Sequence, residues 1–283
     1  MAFNNDPATY DTARPGYPDE LYQLLADRCG LAPGVRILEI GPGTGQASGP
    51  LLAKGAHVVA VEPGEQLAAV LSQRFPTDRL EVVVADFEQA KLVGRFDLVV
   101  AATSFHWVDL PVAMPKLAKL VRPGGWLAIW WNVFQDPDTP TPFRDALDGL
   151  YAEVLPELSS PSAGFPDRLR PESWTRDLQA GDLFGPVETH FLYWSNPLTP
   201  QRARNLWATF SNIINLDADR RTLFLDGLET IVRDRFAGHI DDPCVTAVYL
   251  ALRRPEVSSP GEALHLSREL VGIHSQDSAD RSQ

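Results

Sequence analysis

A chain of 283 residues with 44% hydrophobic and 22% charged side chains is composed like a globular enzyme and is long enough to bury a core without staples. Its formal net charge of -12 argues against nucleic acid as a partner, because neutralising phosphates drives most of that affinity, and no basic cluster offsets it. No apolar run approaches the roughly 20 residues that span a bilayer, which argues against a membrane partner.

The N-terminal stretch MAFNNDPATYDTARPGYP has no apolar segment and does not read as a secretory signal. Asp19–Cys29 predicts a helix. Short apolar or β-branched runs at Val35–Ile40, His57–Val61, Leu80–Ala85, Phe96–Ala101 and Trp126–Trp131 predict strands. Amphipathic stretches at Ala47–Lys54, Glu65–Phe75 and Val112–Leu120 separate them. Such alternation implies βαβ units and a parallel sheet covered on both faces. The RPGG run from Arg122 to Gly125 predicts a turn before the fifth strand. Beyond Asn132 the pattern changes. Proline-rich Phe134–Gly185 holds two predicted helices, Phe143–Leu155 and Pro171–Ala180, then Val187–Trp194 alternates as a strand. Pro200–Phe236 reads as helix, and Val245–Leu252 as a nearly continuous apolar strand.

The expected organisation is a core formed by residues 1–132 and 186–254, with helical insertions at 133–185 and 197–243. Insertions of this kind at one sheet edge commonly form a lid over a substrate. The polar tail, 255–283, is expected to be weakly ordered apart from a helical patch at His265–Ile273. Cys29 and Cys244 are far apart and form no redox or metal motif, which predicts a reduced, cytoplasmic protein. No histidine and acid cluster has metal-ligand spacing, and no Gly-x-Ser-x-Gly or Cys/His pairing suggests covalent catalysis.

The stretch ILEIGPGTGQASGPLL, Ile37 to Leu52, runs a predicted strand into Gly41, Gly43 and Gly45. Glycines here let backbone approach a ligand closely, although a tight strand-to-helix turn has the same pattern. A dinucleotide fingerprint needs Gly or Ala where Gln46 stands. Glu39 lies inside the strand, where a carboxylate is costly without a partner. Glu62 ends the second strand about 20 residues beyond Gly41, where an acid can accept both hydroxyls of a ribose. Asp86, followed by Phe87, ends the third strand and can accept a hydrogen bond from an adenine amino group. All three acids sit on the carboxyl side of the sheet, where open α/β sheets bind ligands. Thr44 and Gln46 in the loop, Pro63 after Glu62 and Thr103 after the fourth strand are expected cofactor contacts as well.

The segments VRILEIGPGTGQAS, VVAVEP, VVVADFEQ, FDLVVAATSFHWVD and LVRPGGWLAIWW, in that order, resemble the successive motifs of class I S-adenosylmethionine-dependent methyltransferases over about residues 10–132. The resemblance implies a Rossmann-like, doubly wound, seven-stranded α/β sheet, mostly parallel, whose last strand runs antiparallel between the fifth and sixth. It implies S-adenosylmethionine as cofactor, with Gly41–Gly45 under the methionine part, Glu62 on the ribose, Asp86 on the adenine and Phe87 beside the ring. YDTARPGYP, Tyr10 to Pro18, and SFHWVD, Ser104 to Asp109, are similar to the small-molecule branch containing trans-aconitate methyltransferase. That likeness implies that Tyr10 and Arg14 close over the cofactor, Arg14 facing its carboxylate, a task suited to a planar guanidinium. A rigid turn opening the first helix is the alternative for RPGYP.

His106 follows the fourth strand, where a side chain can reach a transferred methyl. It is the candidate catalytic base, or else it walls the substrate pocket together with Trp107. An activated sulfonium methyl needs little beyond in-line positioning. Asn132, Trp174 and Trp207 are further candidate substrate contacts; core packing or an ordinary polar strand end accounts for them equally. The expected activity is methyl transfer to O, N or C of a small organic substrate. The alternatives are an NAD-dependent oxidoreductase and an S-adenosylmethionine-binding protein without turnover.

Overall fold

In the computed structural model, residues 11–134, 136–158 and 167–255 are described; Tyr10 and the His265–Ile273 patch lie outside them. The strands are β1 (Arg36–Ile40), β2 (His57–Glu62), β3 (Leu80–Val84), β4 (Phe96–Ala102), β5 (Val121–Val133), β6 (Phe184–Leu198) and β7 (Ile240–Arg253). They form one sheet in the order β3-β2-β1-β4-β5-β7-β6. β1 to β5 pair in parallel, and β7 runs antiparallel to both β5 and β6. This is the seven-stranded architecture that the motifs imply.

Side chains alternate across a strand, and each face of the sheet takes one set. Leu38, Val99, Ile129 and Trp131 pack beneath α4 (Leu110–Leu120) through Met114 and Leu117. Ile37, Val100, Ala128 and Trp130 pack on the other face beneath α1 (Asp19–Cys29) and α2 (Ser48–Ala53), through Leu21, Leu25 and Leu51. Leu71 of α3 (Glu65–Arg74) joins that second layer. The adjacent tryptophans therefore serve opposite cores.

Two sequence expectations are corrected and a third is refined. The RPGG run is not a turn ahead of the strand. Val121 already pairs with Phe96 and Trp126 with Leu98, so the run is a bulge within β5, pinned where Arg122 donates to Asp97 at 2.7 Å. β6 and β7 extend well past their apolar centres because they pair along their whole length, from Phe184 against Arg253 to Leu198 against Ile240. As an edge strand, β6 also tolerates Pro186 and Pro197. Pro200–Phe236 is helical, as expected, but in several pieces. It divides into α7 (Pro200–Ala208), α8 (Ser211–Ile214) and α9 (Ala218–Thr230), followed by a π-helical turn at Ile231–Arg235. Thr199 and Asp217 accept the backbone N–H groups of Arg202 and Arg220 and start the first and last of these as N-caps.

Most of the two insertions shares one hydrophobic core. Phe143, Leu147 and Leu150 of α5 (Pro142–Val154) meet Leu206 and Trp207 of α7 and Phe224 and Leu228 of α9. α6 (Pro171–Gln179) does not belong to this bundle; its Leu178 and Trp174 pack on the sheet. The bundle is tied to β7 by a buried ion pair. Arg144 donates through Nε to Asp242 at 3.0 Å, and its Nη2 reaches both Asp242 and the carbonyl of Phe134. Among the described residues no helix is long and apolar enough to cross a membrane.

Candidate active site

The carboxyl ends of β1 to β5 converge on one cavity of about 390 Å³. It sits where the strand order reverses around β1, the usual ligand position in an open α/β sheet. Gly41, Pro42, Gly43 and Gln46 from the loop after β1 form its floor, with Glu62 and Pro63 after β2 and Asp86 and Phe87 after β3. Thr103, Ser104, His106 and Trp107 follow β4; Trp131 and Asn132 come from the end of β5. Arg14 and Tyr17 close one side, and Phe134, Arg168, Phe210 and Asn212 close another.

The floor is fixed by hydrogen bonds. Gly41 has φ 64° and donates to the carbonyl of Val61 at 2.9 Å, while Ser104 donates its hydroxyl to the carbonyl of Ile40. A Cβ on Gly41 would lie 2.6 Å from the Cβ of Ser104. Gly41→Ala is therefore expected to cost about 1–3 kcal/mol, the price of a left-handed non-glycine backbone, and more once Ser104 shifts. A lowered melting temperature checks this; an unchanged one contradicts it.

Glu62 is buried, and its two oxygens accept from Gly43 N at 3.0 Å and Gly64 N at 2.9 Å. Burial raises its pKa, and the two backbone N–H groups oppose that rise. Each oxygen keeps a lone pair for a donor in the cavity. Asp86, one strand away, is exposed in the same wall. Phe87 is buried below it, with the ammonium of Lys116 4.9 Å from its ring centre. Thr103 is held at φ 57°, a genuine outlier for a β-branched residue. Its hydroxyl lies 3.0 Å from that of Tyr17. Backbone strain of this kind gathers at ligand sites.

Similarity to known proteins decides the family. The profile of a methyltransferase domain family matches residues 38–129, which contain most of this wall. An uncharacterized methyltransferase of Mycobacterium bovis is 30% identical over 234 residues, 82% of this chain and 86% of its own length. The chain belongs to the methyltransferase family. Among solved structures, a protein assigned as a type II methyltransferase from Anaeromyxobacter dehalogenans superposes with a TM-score of 0.58 at 25% identity, covering 86% of this chain and 99% of its own. A phosphoethanolamine N-methyltransferase 2 of Haemonchus contortus, in complex with phosphomonomethylethanolamine and S-adenosylhomocysteine, shares the fold. Its TM-score is 0.52 at 16% identity, over 89% of this chain and 58% of that one.

In this methyltransferase several predicted contacts stand behind the cavity wall. Glu39 is fully buried, accepts the hydroxyl of Ser48 at 2.6 Å and anchors the start of α2. Thr44 is also buried and donates to Asp11 at 2.8 Å, and Asp11 in turn receives Arg74. Asp11, unremarked in the sequence, thus latches the N-terminal segment to the glycine loop. Gly45 faces Leu71 and Phe75. Trp174 stacks on Trp131 with ring centres 4.4 Å apart, and Trp207 sits edge-on to Phe210 at 5.5 Å. Asn132 lines the cavity, but both ends of its amide are engaged: it donates to Gly16 at 3.0 Å and accepts from Thr246 at 2.7 Å. Tyr17, Ser104, Arg168, Phe134 and Phe210 are wall residues that the motifs did not single out. Tyr17 and Ser104 carried a signal as parts of the RPGYP and SFHWVD stretches, and Phe210 as an aromatic of the helical insertions; Arg168 and Phe134 carried none.

Burial pushes the pKa of Glu39 up to about 7, with Ser48 opposing and Glu62 adding to the rise. Its folded value lies above the ordinary glutamate value of about 4.5, so the associated stability is fully present below about 4.5 and is lost as pH rises through about 7. Glu39→Gln, which stays neutral, is expected to gain melting temperature on the wild type as the pH is raised from about 5 to 8. Parallel curves for the two proteins would refute this.

Proposed function

We propose that this methyltransferase takes its methyl group from S-adenosylmethionine and transfers it to O, N or C of a small organic molecule by in-line displacement. The observation that carries the reading is the buried Glu62 carboxylate, held on one oxygen by Gly43 of the glycine loop and on the other by Gly64 after β2, and lining the cavity together with Asp86. These are acceptors matched to the ribose hydroxyls and the amino group of a single adenosine, with Phe87 beside the ring. Gln46, in place of a further glycine or alanine, speaks against a dinucleotide. Bound there, S-adenosylmethionine supplies an already activated sulfonium methyl.

The chain's own residues bind, orient and exclude water. Glu62 fixes the ribose, and the backbone of Gly41 and Gly43 lies under the methionine part. Arg14 faces the methionine carboxylate. Its guanidinium carbon is 4.7 Å from the ring centre of Phe210, and it donates to the carbonyl of Thr209 at 3.1 Å. It thereby joins the N-terminal segment to the helical bundle. That bundle acts as the lid, contributing Phe210 and Asn212 to the acceptor side. Net acidity and this cover favour a small acceptor over nucleic acid, and the two free, buried cysteines suit a cytoplasmic enzyme. The likeness of YDTARPGYP and SFHWVD to the trans-aconitate methyltransferase branch makes carboxylic acids the first acceptors to try.

The test is a screen of acids, amines and phenols with isotopically labelled methyl donor. Label in a small product is the expected result. Label appearing only in RNA or protein, or no transfer to any class, overturns the proposal.

A further inference from the structure

His106 lines the cavity, and its Nδ1 lies 3.1 Å from Nε1 of Trp131. An indole nitrogen can only donate, so Nδ1 is the acceptor and carries no proton. A neutral imidazole so bonded holds its proton on Nε2. To act as a base through Nε2, the ring would need the opposite tautomer, whose Nδ1–H would point at the indole N–H. Protonating the ring creates the same collision of two donors. Trp131 is itself immobilised: it is buried, stacked on Trp174 at 4.4 Å and 30°, and edge-on to Tyr249 at 6.2 Å. The hydroxyl of Tyr249 donates to the carbonyl of Arg168 at 2.6 Å, which ties Trp131's neighbour to a residue lining the same cavity as His106.

We propose that Trp131 is a positioning residue that holds His106 as a neutral imidazole protonated on Nε2, so that His106 offers the acceptor substrate a hydrogen-bond donor and not a base. The assignment of a substrate to this donor rests on the methyl-transfer reading above; the tautomer does not. Burial, with the positive charge of Arg168 adding to it, lowers the pKa of His106 to about 4, in keeping with a ring that stays neutral. Arg168 is the charged group that acts on it, and the other rings against it, Trp107 and Trp131, do not titrate.

The arrangement selects acceptors. A nucleophile placed here arrives with a free lone pair, as a carboxylate or a neutral amine does, and also presents an accepting atom to Nε2–H. As the nucleophile–carbon bond forms, the sulfur–carbon bond breaks and its electron pair leaves on sulfur. His106 neither takes nor gives up a proton. An alcohol or phenol would have to shed its proton to another group.

Long-range proton–nitrogen spectra of the chain labelled with ¹⁵N-histidine test this, with His106 identified by the signals lost in H106Q. The expected wild-type spectrum shows Nε2 protonated and Nδ1 bare, without titration from about pH 5 to 8. In W131F the single-tautomer pattern is expected to be lost and the titration to move up towards the ordinary histidine range. A wild-type ring protonated on Nδ1, or one titrating near neutrality, overturns the proposal, as does a folded W131F with an unchanged His106. The wild-type spectrum decides the tautomer even where W131F fails to fold. Titrating S-adenosylhomocysteine into the same sample separates the two ideas: no binding would sink the methyl-transfer reading and leave the tautomer standing.

Discussion

Replacing Glu62 by alanine is expected to weaken the binding of S-adenosylhomocysteine by about ten- to a hundredfold. A hydrogen bond to a charged group contributes roughly 1.5–3 kcal/mol, and each 1.4 kcal/mol is a factor of ten in affinity. Two such bonds to ribose hydroxyls would give more, but the alanine also leaves room for water, which recovers part of the loss. The same substitution leaves Gly43 N and Gly64 N without the acceptor they now share. The loop should therefore loosen together with the ligand. Glutamine is no remedy, because its amide would turn a donor towards one of those N–H groups. Asp86 is exposed and on the proposed reading would supply a single contact, so Asp86→Ala should cost less than Glu62→Ala. Titration calorimetry on both variants, with circular dichroism as a check on folding, measures the difference. Equal affinity in wild type and Glu62→Ala would remove the ribose assignment.

The largest loss of stability is expected on breaking the pair between α5 and β7. The side chain of Asp242 is fully buried and that of Arg144 is 13% exposed. Removing one member of a buried ion pair typically costs about 3–5 kcal/mol, because the other charge stays behind without compensation. Arg144→Ala also deprives the carbonyl of Phe134 of its donor. For a domain of this size each kcal/mol corresponds to roughly 2–4 °C, so a fall of about 6–20 °C in melting temperature is expected. Replacing both partners with apolar residues, as in R144M/D242L, should recover much of that, since the attraction of a buried pair barely repays its desolvation. A single variant as stable as the wild type, or a double variant no better than the single, would show that the pair does not tie the bundle to the sheet.

The strands that build the site were legible because parallel strands buried on both faces are almost wholly apolar, and β1, β2 and β4 show that plainly. Glu62 and Asp86 stood out for the complementary reason, as carboxylates ending such runs. Glu39 looked equivalent in sequence. Its partner, Ser48, lies nine positions on, and only the turn through the glycine loop decides that this carboxylate faces α2 and not the cavity. Thr44 misled in the same way, since its partner Asp11 comes from a segment 33 residues earlier. The tryptophans could not be sorted by composition. Trp131, Trp174 and Trp207 carry the same chemistry, and the pleat of β5 and the packing of α6 and α7 determine which one reaches the wall. The bond from Trp131 to His106 depends on β4 and β5 being neighbours in register, a fact that no local pattern encodes.

On the proposed reading this cavity recognises a single adenosine carried by a methyl donor. Thermal unfolding of the unmodified chain with S-adenosylhomocysteine or with NAD tests it most directly. S-adenosylhomocysteine is expected to raise the melting temperature in a concentration-dependent way, Glu62→Ala to abolish most of the rise, and NAD to have no effect. Stabilisation by NAD alone would contradict it.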